Sequence, residues 1–335
     1  MKILVTGGAG FIGSALVRHV VHQTHHHVLN YDKLTYAADP RALESVQSNE
    51  RYRFVKGDVC DRALLTETVM DFQPDAVMHL AAESHVDQSI ENPLKFVESN
   101  VLGTVTLLQV VTEYWNTLET SLKERFRFLN VSTDEVYGDL PIDSSEKFSE
   151  SSPYRPSSPY AASKASADHF VRAWHRTYGL PILVTNCTNN YGPYQADEKL
   201  IPLMIKRALA KEPLPIYGNG QQVRDWLHVD DHVDTLLAVL EKGAVGESYN
   251  IGADCEMTNL EIVRLICEHI HQHPEADKCF DYSTLITHVT DRPGHDQRYA
   301  VETNKTKKII RLQPQVIGSL IEREITSFIR LPDFD

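Results

Sequence analysis

Tyr160 and Lys164 stand four residues apart, a spacing that places two side chains on one face of a helix. A buried ammonium beside a phenol makes the phenol a better acid, and therefore a usable base. Upstream, the run Ser132-Thr133-Asp134-Glu135-Val136-Tyr137-Gly138 supplies a hydroxyl and two adjacent carboxyl groups. Together these residues can furnish a redox base, a polarising hydroxyl, an acid and a second base. That is more proton-transfer equipment than simple alcohol oxidation needs. In an extended strand Asp134 and Glu135 would point to opposite sides. Both reach one substrate only if the chain bends after the strand.

The N-terminal run Thr6-Gly7-Gly8-Ala9-Gly10-Phe11-Ile12-Gly13 lies between a strand pattern and a helix pattern. Glycine at positions 7, 10 and 13 allows a tight turn and close backbone approach to a pyrophosphate at a helix N-terminus. Asp32 follows at the end of the second strand pattern, placed to accept hydrogen bonds from both adenosine ribose hydroxyls and to repel a 2′-phosphate. The expected cofactor is NAD rather than NADP, with Lys33 and Arg41 as the nearby cations able to hold a phosphate. Asp58 ends the third strand, either within reach of an adenine amino group or serving as a turn acid. Chance Tyr-x-x-x-Lys spacings are common, so Tyr160 and Lys164 gain weight from this glycine loop. A free phenol titrates near pH ~10, and use near neutrality needs a shift of ~3 units, or ~4 kcal/mol. One cation about 5 Å away at an effective dielectric of ~20 contributes ~3 kcal/mol. Lys164 and a positive nicotinamide together supply the shift, which suits a base that starts hydride transfer to NAD.

These residues need a frame that brings strand ends together. Short apolar runs at Lys2–Thr6, His27–Asp32, Arg53–Lys56, Ala76–Leu80, Phe126–Ser132 and Ile182–Asn186 alternate with helical stretches such as Phe11–His22 and Pro93–Trp115. The alternation predicts an α/β, Rossmann-type doubly wound parallel sheet, with ligands at the carboxyl ends of its strands. The later half is irregular, with a strand and helix over Trp226–Glu241, a strand at Ser248–Gly252, and helices at Leu260–His271 and Ile317–Ile329. It reads as a smaller, partly interleaved C-terminal substrate domain. The expected division is 1–188, with about 226–252, for the NAD-binding domain, and 189–225 with 253–335 for the substrate domain. Ser144–Pro159 is rich in Ser and Pro and predicts a surface loop leading into the Tyr160 helix.

The 335 residues suffice for a substantial core, and a net charge of −13 argues against a general nucleic-acid surface. No apolar run approaches the expected length of a membrane span, and the glycine-rich start comes too early for a signal peptide. Five cysteines (Cys60, Cys187, Cys255, Cys267, Cys279) without paired spacing point to reduced thiols and a cytoplasmic location. No metal is expected. His25-His26-His27 lacks spaced Cys or acidic partners and reads as a solvated turn, while His269, His271 and His273 do not share one helix face.

The glycine loop, the Ser132–Gly138 run and the Tyr160/Lys164 pair together resemble the extended short-chain dehydrogenase/reductases, and within them the dTDP-glucose 4,6-dehydratases. Further matching stretches are Ala81-Ala82-Glu83-Ser84-His85-Val86-Asp87, Asn189–Pro193, Glu198–Pro202, Leu214–Gly218, Arg224-Asp225-Trp226 and Asp291–Asp296, so the resemblance runs from Met1 to about Ala300. Its most specific element is the Asp-Glu pair after Thr133. The resemblance implies that Tyr160 takes the proton from the sugar C4 hydroxyl while C4 gives hydride to NAD. Thr133 then hydrogen-bonds the reacting oxygen, Glu135 removes the C5 proton, and protonated Asp134 delivers a proton to the departing C6 hydroxyl. Hydride returns to C6, so NAD is regenerated and is held tightly. The product is a nucleotide-linked 4-keto-6-deoxyglucose for deoxysugar biosynthesis.

The same resemblance places cofactor contacts at Gly7, Gly10, Phe11, Ile12, Gly13, Asp32, Lys33, Leu34, Thr35, Asp58, Val59, Leu80, Ala81, Ala82, Ser99, Tyr160, Lys164 and Asn190. It places dTDP-glucose contacts at Ser84, Thr133, Asp134, Glu135, Asn189, Lys199, Leu200, Pro215, Ile216, Tyr217, Arg224, Asn259, Arg292 and His295. Guanidinium groups at Arg224 and Arg292 suit a diphosphate, or else each pairs with a structural acid such as Asp225 or Asp291. The Pro215–Tyr217 wall suits a pyrimidine. A homodimer through the Val101–Val111 helix and the Tyr160 helix is also implied. Two stretches depart from the pattern: Ala196-Asp197 stands where an aromatic-proline pair is expected, and Leu312–Asp335 lacks the expected glycine-tryptophan step. Two other readings stand beside the dehydratase. A nucleotide-sugar 4-epimerase shares everything but the Asp134–Glu135 pair, and a non-catalytic dinucleotide sensor has no reason to retain all five catalytic residues.

Overall fold

A computed structural model describes residues 1–310, 315 and 317–329. In chain order the strands are β1 (Lys2–Thr6), β2 (His27–Asp32), β3 (Tyr52–Lys56), β4 (Ala76–His79), β5 (Arg127–Thr133), β6 (Ile182–Cys187), β7 (Asn189–Tyr191), β8 (Leu214–Tyr217), β9 (Val223–His228), β10 (Ser248–Ile251), β11 (Glu256–Thr258) and β12 (Ile286–Val289). Seven of them form one parallel sheet in the order β3-β2-β1-β4-β5-β6-β10. Strands covered by helices on both faces read as near-continuous apolar runs, as Ile3, Leu4 and Val5 do. On one face the helices Phe11–Gln23 and Val229–Lys242 bury Leu16, Val17, Leu236 and Leu240. On the other, Gly103–Thr117 and Pro159–Tyr178 bury Leu107, Val111 and Val171. This is the Rossmann-type doubly wound sheet, and its order reverses between β1 and β4, where a crevice opens at the strand ends.

The remaining strands form a three-stranded sheet, β11-β9-β7, and a parallel pair, β12-β8. With the helices Leu200–Leu209, Asn259–Gln272 and Ile317–Ile329 they enclose a separate core around Ile205, Trp226, Ile266 and Ile321. The chain passes from β9 in the small sheet directly into the helix Val229–Lys242, which packs on the large one. Residues 311–314, 316 and 330–335, and with them part of the departing Leu312–Asp335 tail, lie outside the described residues.

Two expectations are corrected. The run Pro93–Thr117 is a continuous 25-residue helical stretch with mean hydropathy 1.2, long and apolar enough by those measures to cross a membrane. Its apolar side is occupied otherwise: Phe96, Leu107, Leu108, Val110 and Val111 are fully buried inside the fold. A π-helical turn over Val97–Leu102 turns Ser99 and Asn100 inward. The Ser144–Pro159 segment is more than a surface loop. Phe148 exchanges backbone hydrogen bonds with Ala300 and Glu302, and Tyr154 packs edge-on against Tyr137 with ring centres 5.3 Å apart. Two aromatic side chains inside a Ser/Pro-rich stretch had an apolar site to fill.

Candidate active site

The loop after β1 turns back through Gly7, at φ +75°, where a Cβ would lie 2.6 Å from the Ala81 amide nitrogen. At Gly13 a Cβ would strike the Gly7 carbonyl at 2.0 Å. These two glycines are demanded by the protein's own packing. Gly10 is different, because a Cβ there would meet nothing closer than 3.5 Å. Its bare face opens at the start of the helix Phe11–Gln23, which it caps without a side chain. The first-turn amides are thus left for an outside acceptor, the arrangement a pyrophosphate requires. At the end of β2, Asp32 is oriented by the amides of Ala9 (2.9 Å) and Leu34 (2.7 Å). The two cations near the adenosine end each face acids of the protein. Arg41 pairs with Asp39 at 2.8 Å, and Lys33 stands 3.6 Å from Asp58 and 3.7 Å from Glu83. The residues present fit NAD.

A cavity of about 560 Å³ runs from this cradle to the smaller core. Of the expected cofactor residues, Gly7, Gly10, Phe11, Ile12, Gly13, Asp32, Lys33, Thr35, Val59, Leu80, Ala81, Ala82, Ser99, Tyr160, Lys164 and Asn190 line it. Leu34 and Asp58 do not. Leu34 is exposed at φ +58°, and Asp58 accepts from the Cys60 amide at 2.9 Å, the turn-acid role.

β5 ends at Thr133 and the chain winds at once into a 3-10 turn, Asp134–Tyr137. This is the bend that lets two successive carboxyl groups share one cavity. The turn is pinned by Tyr137, whose hydroxyl donates to Asn250 at 2.8 Å. Gly138 closes it at φ +91°, where a Cβ would meet the Arg155 carbonyl at 2.4 Å. Asp134 is buried, and its Oδ2 has no partner among the described residues. Burial first, then the charge of Glu135, push its carboxyl well above the ordinary range. Glu135 is raised by burial too, but Arg292, Arg224 and Lys199 all face it and pull it back. Both carboxyls are raised, Asp134 the further, so Asp134 holds its proton more firmly than the cation-faced Glu135.

A stability consequence follows for Asp134. An unfolded aspartate loses its proton near pH ~3.9, whereas native Asp134 retains it to higher pH. The native chain then binds more protons than the unfolded one, and stability falls as pH rises through that window. Asp134→Asn is expected to melt at a higher temperature than the parent at neutral pH, with the gain vanishing toward pH ~3. Thermal melts across that range check it, and a gain that persists undiminished in acid would contradict the placement of the proton.

Tyr160 opens the helix Pro159–Tyr178, capped by Ser158 with Pro159 at its first position. Lys164 follows one turn later and is buried, with its ammonium donating to the Val131 carbonyl at 2.8 Å. Here the structure departs from the simple picture of a phenol beside an ammonium. The Tyr160 phenol is pushed well above its usual value by burial, then by Glu135, Cys187 and Asp134, with a Thr133 hydrogen bond as the one counteracting influence. In the protein alone these influences hold the Tyr160 proton in place, and the charge of an oxidised nicotinamide would act in the opposite direction.

The expected substrate residues Ser84, Thr133, Asp134, Glu135, Asn189, Lys199, Leu200, Pro215, Ile216, Tyr217, Arg224, Asn259, Arg292 and His295 all line the cavity. Neither arginine takes the structural acid beside it. Asp225 is occupied by the amides of Ala253 and Cys255, and Asp291 by the Arg292 amide, His295 and Gln222. Arg224 is buried, stacked 4.2 Å over Tyr299, and donates to the carbonyls of Val223 and Asp296. Arg292 has a buried Nε without a partner and lies 3.8 Å from Asp87. Both guanidinium groups line the same cavity as the glycine loop. Sequence reasoning passed over Asp87, Cys187 and Tyr299 as lining residues. Asp87 stood inside a stretch already singled out. Cys187, at the end of β6, was detectable from the rule that ligands gather at strand ends. Tyr299 carried no local signal.

The comparisons with known proteins agree with this geometry. The family model for GDP-mannose 4,6 dehydratase matches residues 4–322. The dTDP-glucose 4,6-dehydratase of Haemophilus influenzae is 55% identical over 318 residues, covering 94% of each chain. The chain belongs to the dTDP-glucose 4,6-dehydratase family. Another member, dTDP-glucose 4,6-dehydratase 1 of Escherichia coli K12, is 52% identical over 94% of this chain and 89% of its own. A solved structure of the Streptomyces venezuelae dTDP-glucose 4,6-dehydratase DesIV, with NAD and TYD bound, superposes with a TM-score of 0.89 at 40% identity over the full length of both chains. The departing Ala196-Asp197 pair puts no extra acid on the cavity wall. Asp197 is exposed and pairs with Lys206 at 2.6 Å, leaving only Ala196 on the cavity wall.

Proposed function

We propose that the chain is an NAD-dependent dTDP-glucose 4,6-dehydratase, a hydro-lyase that converts dTDP-glucose to dTDP-4-keto-6-deoxyglucose and water for deoxysugar biosynthesis. The observation that carries this reading is the bend after β5, which sets a buried Asp134, its proton held by burial, and a cation-faced Glu135 in one cavity with Tyr160. Bound NAD would supply the acceptor for the C4 hydride and its return to C6. Gly7, Gly10, Gly13 and Asp32 would hold its pyrophosphate and ribose. Tyr160 takes the C4 hydroxyl proton, with Thr133 hydrogen-bonded to the same oxygen. The 4-keto group acidifies C5–H, Glu135 removes that proton, Asp134 protonates the leaving C6 hydroxyl so that water departs, and C5 is reprotonated as the hydride is returned to C6. Elimination needs an acid and a base at one pH, and two carboxyls with separated pKa values provide them. The epimerase reading has no use for this pair.

The test is mass spectrometry of the products formed from dTDP-glucose and NAD in deuterated water. Loss of one water with a single deuterium at C5 is the expected result. Galactose formation without mass loss would make the enzyme an epimerase, and bound NAD without turnover of any nucleotide sugar would make it a sensor.

Arg224 and Arg292 take the diphosphate in this reading, and Pro215, Ile216 and Tyr217 the pyrimidine. Arg224→Met is expected to raise KM for dTDP-glucose ~10–100-fold, the loss of charged hydrogen bonds of about 1.5–3 kcal/mol, with a smaller change in kcat. Initial rates decide it, and an unchanged KM would remove Arg224 from the diphosphate site. The proposed division into 1–188 with about 226–252, and 189–225 with 253–335, separates cofactor from sugar-nucleotide binding only in part: β9 (Val223–His228) straddles its boundary within the smaller sheet, and Ser84, Thr133, Asp134 and Glu135 of the first part line the substrate end of the cavity. A homodimer is supported by exposed apolar side chains on neighbouring helices: Leu94, Val97 and Leu102 on one, Phe170 and Tyr178 on the other. Five free cysteines support a reducing, cytoplasmic setting.

A further inference from the structure

The helix that carries Tyr160 and Lys164 presents a third polar side chain one turn further on. Asp168 is fully buried, and its carboxylate accepts from Asn130 Nδ2 at 2.8 Å, Ser132 Oγ at 2.7 Å and the Tyr154 hydroxyl at 2.9 Å. All three donors are neutral. Two of them, Asn130 and Ser132, flank Val131, whose carbonyl receives the Lys164 ammonium. The nearest guanidinium, Arg172, spends its contacts on the Tyr154 hydroxyl and Ser248. The carboxylate is thus solvated by dipoles without being neutralised by a close cation, and its field reaches Lys164, its i−4 neighbour.

We propose that Asp168 is the positioning counter-ion of the catalytic centre: it keeps the buried Lys164 protonated and, through Asn130 and Ser132, aligns the strand carbonyl that holds it. The groups facing Lys164 are few. Besides Asp168 they are the Cys187 thiol on β6, which burial pushes up to about 12, and the His79 imidazole on β4, which burial drives down to about 3. Both are neutral at working pH. Burial raises the Asp168 carboxyl, while Lys164, the Ser132 hydrogen bond, Arg172 and the Tyr154 hydrogen bond pull it back toward the carboxylate; Tyr137 also faces it. Burial works to discharge Lys164, and among the ionised groups facing it Asp168 alone opposes this. Without the counter-ion, burial would go unopposed and Lys164 would give up its proton at a lower pH, weakening the charge it offers a Tyr160 phenolate.

The inference rests on the role given to Lys164 in the dehydratase reading, and its test has a readout independent of turnover. In holoenzyme with nitrogen-15-labelled lysine, the Lys164 amino signal, assigned by its absence in Lys164→Met, is titrated by NMR. Asp168→Asn is expected to lower the titration midpoint by about 1–2 pH units, the effect of one charge a helical turn away at an effective dielectric of ~20. The alkaline limb of the rate of NADH formation moves down with it. Asp168→Glu is expected to restore much of the shift. Should Asp168→Asn fail to fold, Asp168→Ser, which leaves room for water among the three donors, gives the same reading. A midpoint that stays in place while activity falls would overturn the counter-ion role and leave the dehydratase reading intact.

Discussion

Glu135→Gln is expected to oxidise its substrate and then stop. Gln keeps the volume and leaves Arg292, Arg224 and Lys199 facing an uncharged amide, but it cannot take the C5 proton. Hydride transfer from C4 depends on Tyr160 and Thr133 and should proceed. Mixed with dTDP-glucose, the variant should accumulate NADH up to the concentration of subunits, while 4-keto-6-deoxy product forms ~10²–10⁴ times more slowly, the usual contribution of a positioned base. Deuterium incorporation at C5 should fall in parallel. Stopped-flow absorbance and product mass distinguish the steps. Dehydration at nearly the parent rate would remove Glu135 from the elimination.

Tyr160→Phe is expected to fail one step earlier. Phenylalanine keeps the edge-on packing against Phe96, at 6.3 Å between ring centres, and removes only the hydroxyl. No NADH should accumulate, and turnover should fall by ~10²–10⁴ while NAD remains bound. The pH dependence sharpens this. Burial and the neighbouring acids raise the Tyr160 phenol in the protein alone. Deprotonation therefore becomes accessible only under the charge of oxidised nicotinamide, and the rate of the first hydride transfer should climb with pH through that lowered value. The Phe variant should lack this limb. NADH formation by Tyr160→Phe at the parent rate would assign the base to another group. The two variants thus divide the reaction: one makes NADH without product, the other makes neither.

The legible parts of this protein were those encoded at short range. β1 and β2 begin and end where the apolar runs predicted, because a strand buried on both faces must be apolar throughout. The glycine loop was legible because two of its glycines are required by contacts within the loop and its flanking strand end. The need for a bend after Thr133 was also legible, since a strand cannot aim two successive side chains to one side. Other features were hidden. The anchoring of Ser144–Pro159 depends on Ala300 and Glu302, far along the chain. The apolar character of Pro93–Thr117 looked unremarkable in sequence, yet by length and hydropathy alone it passes for a membrane span.

The sequence by itself determined the cofactor class, the parallel sheet and the roster of proton-transfer groups, because each depends on residue type and on spacing within one turn or one strand. Only the tertiary structure decided how those groups are charged. Asp134 and Glu135 are neighbours of like chemistry, and nothing local says which keeps its proton. Arg224, Arg292 and Lys199, delivered from the smaller core, all face Glu135, whereas of these Asp134 feels chiefly Arg224 and has one buried oxygen without a partner among the described residues. Protonation states are set by desolvation and by charges through space, and both exist only once distant segments have packed together.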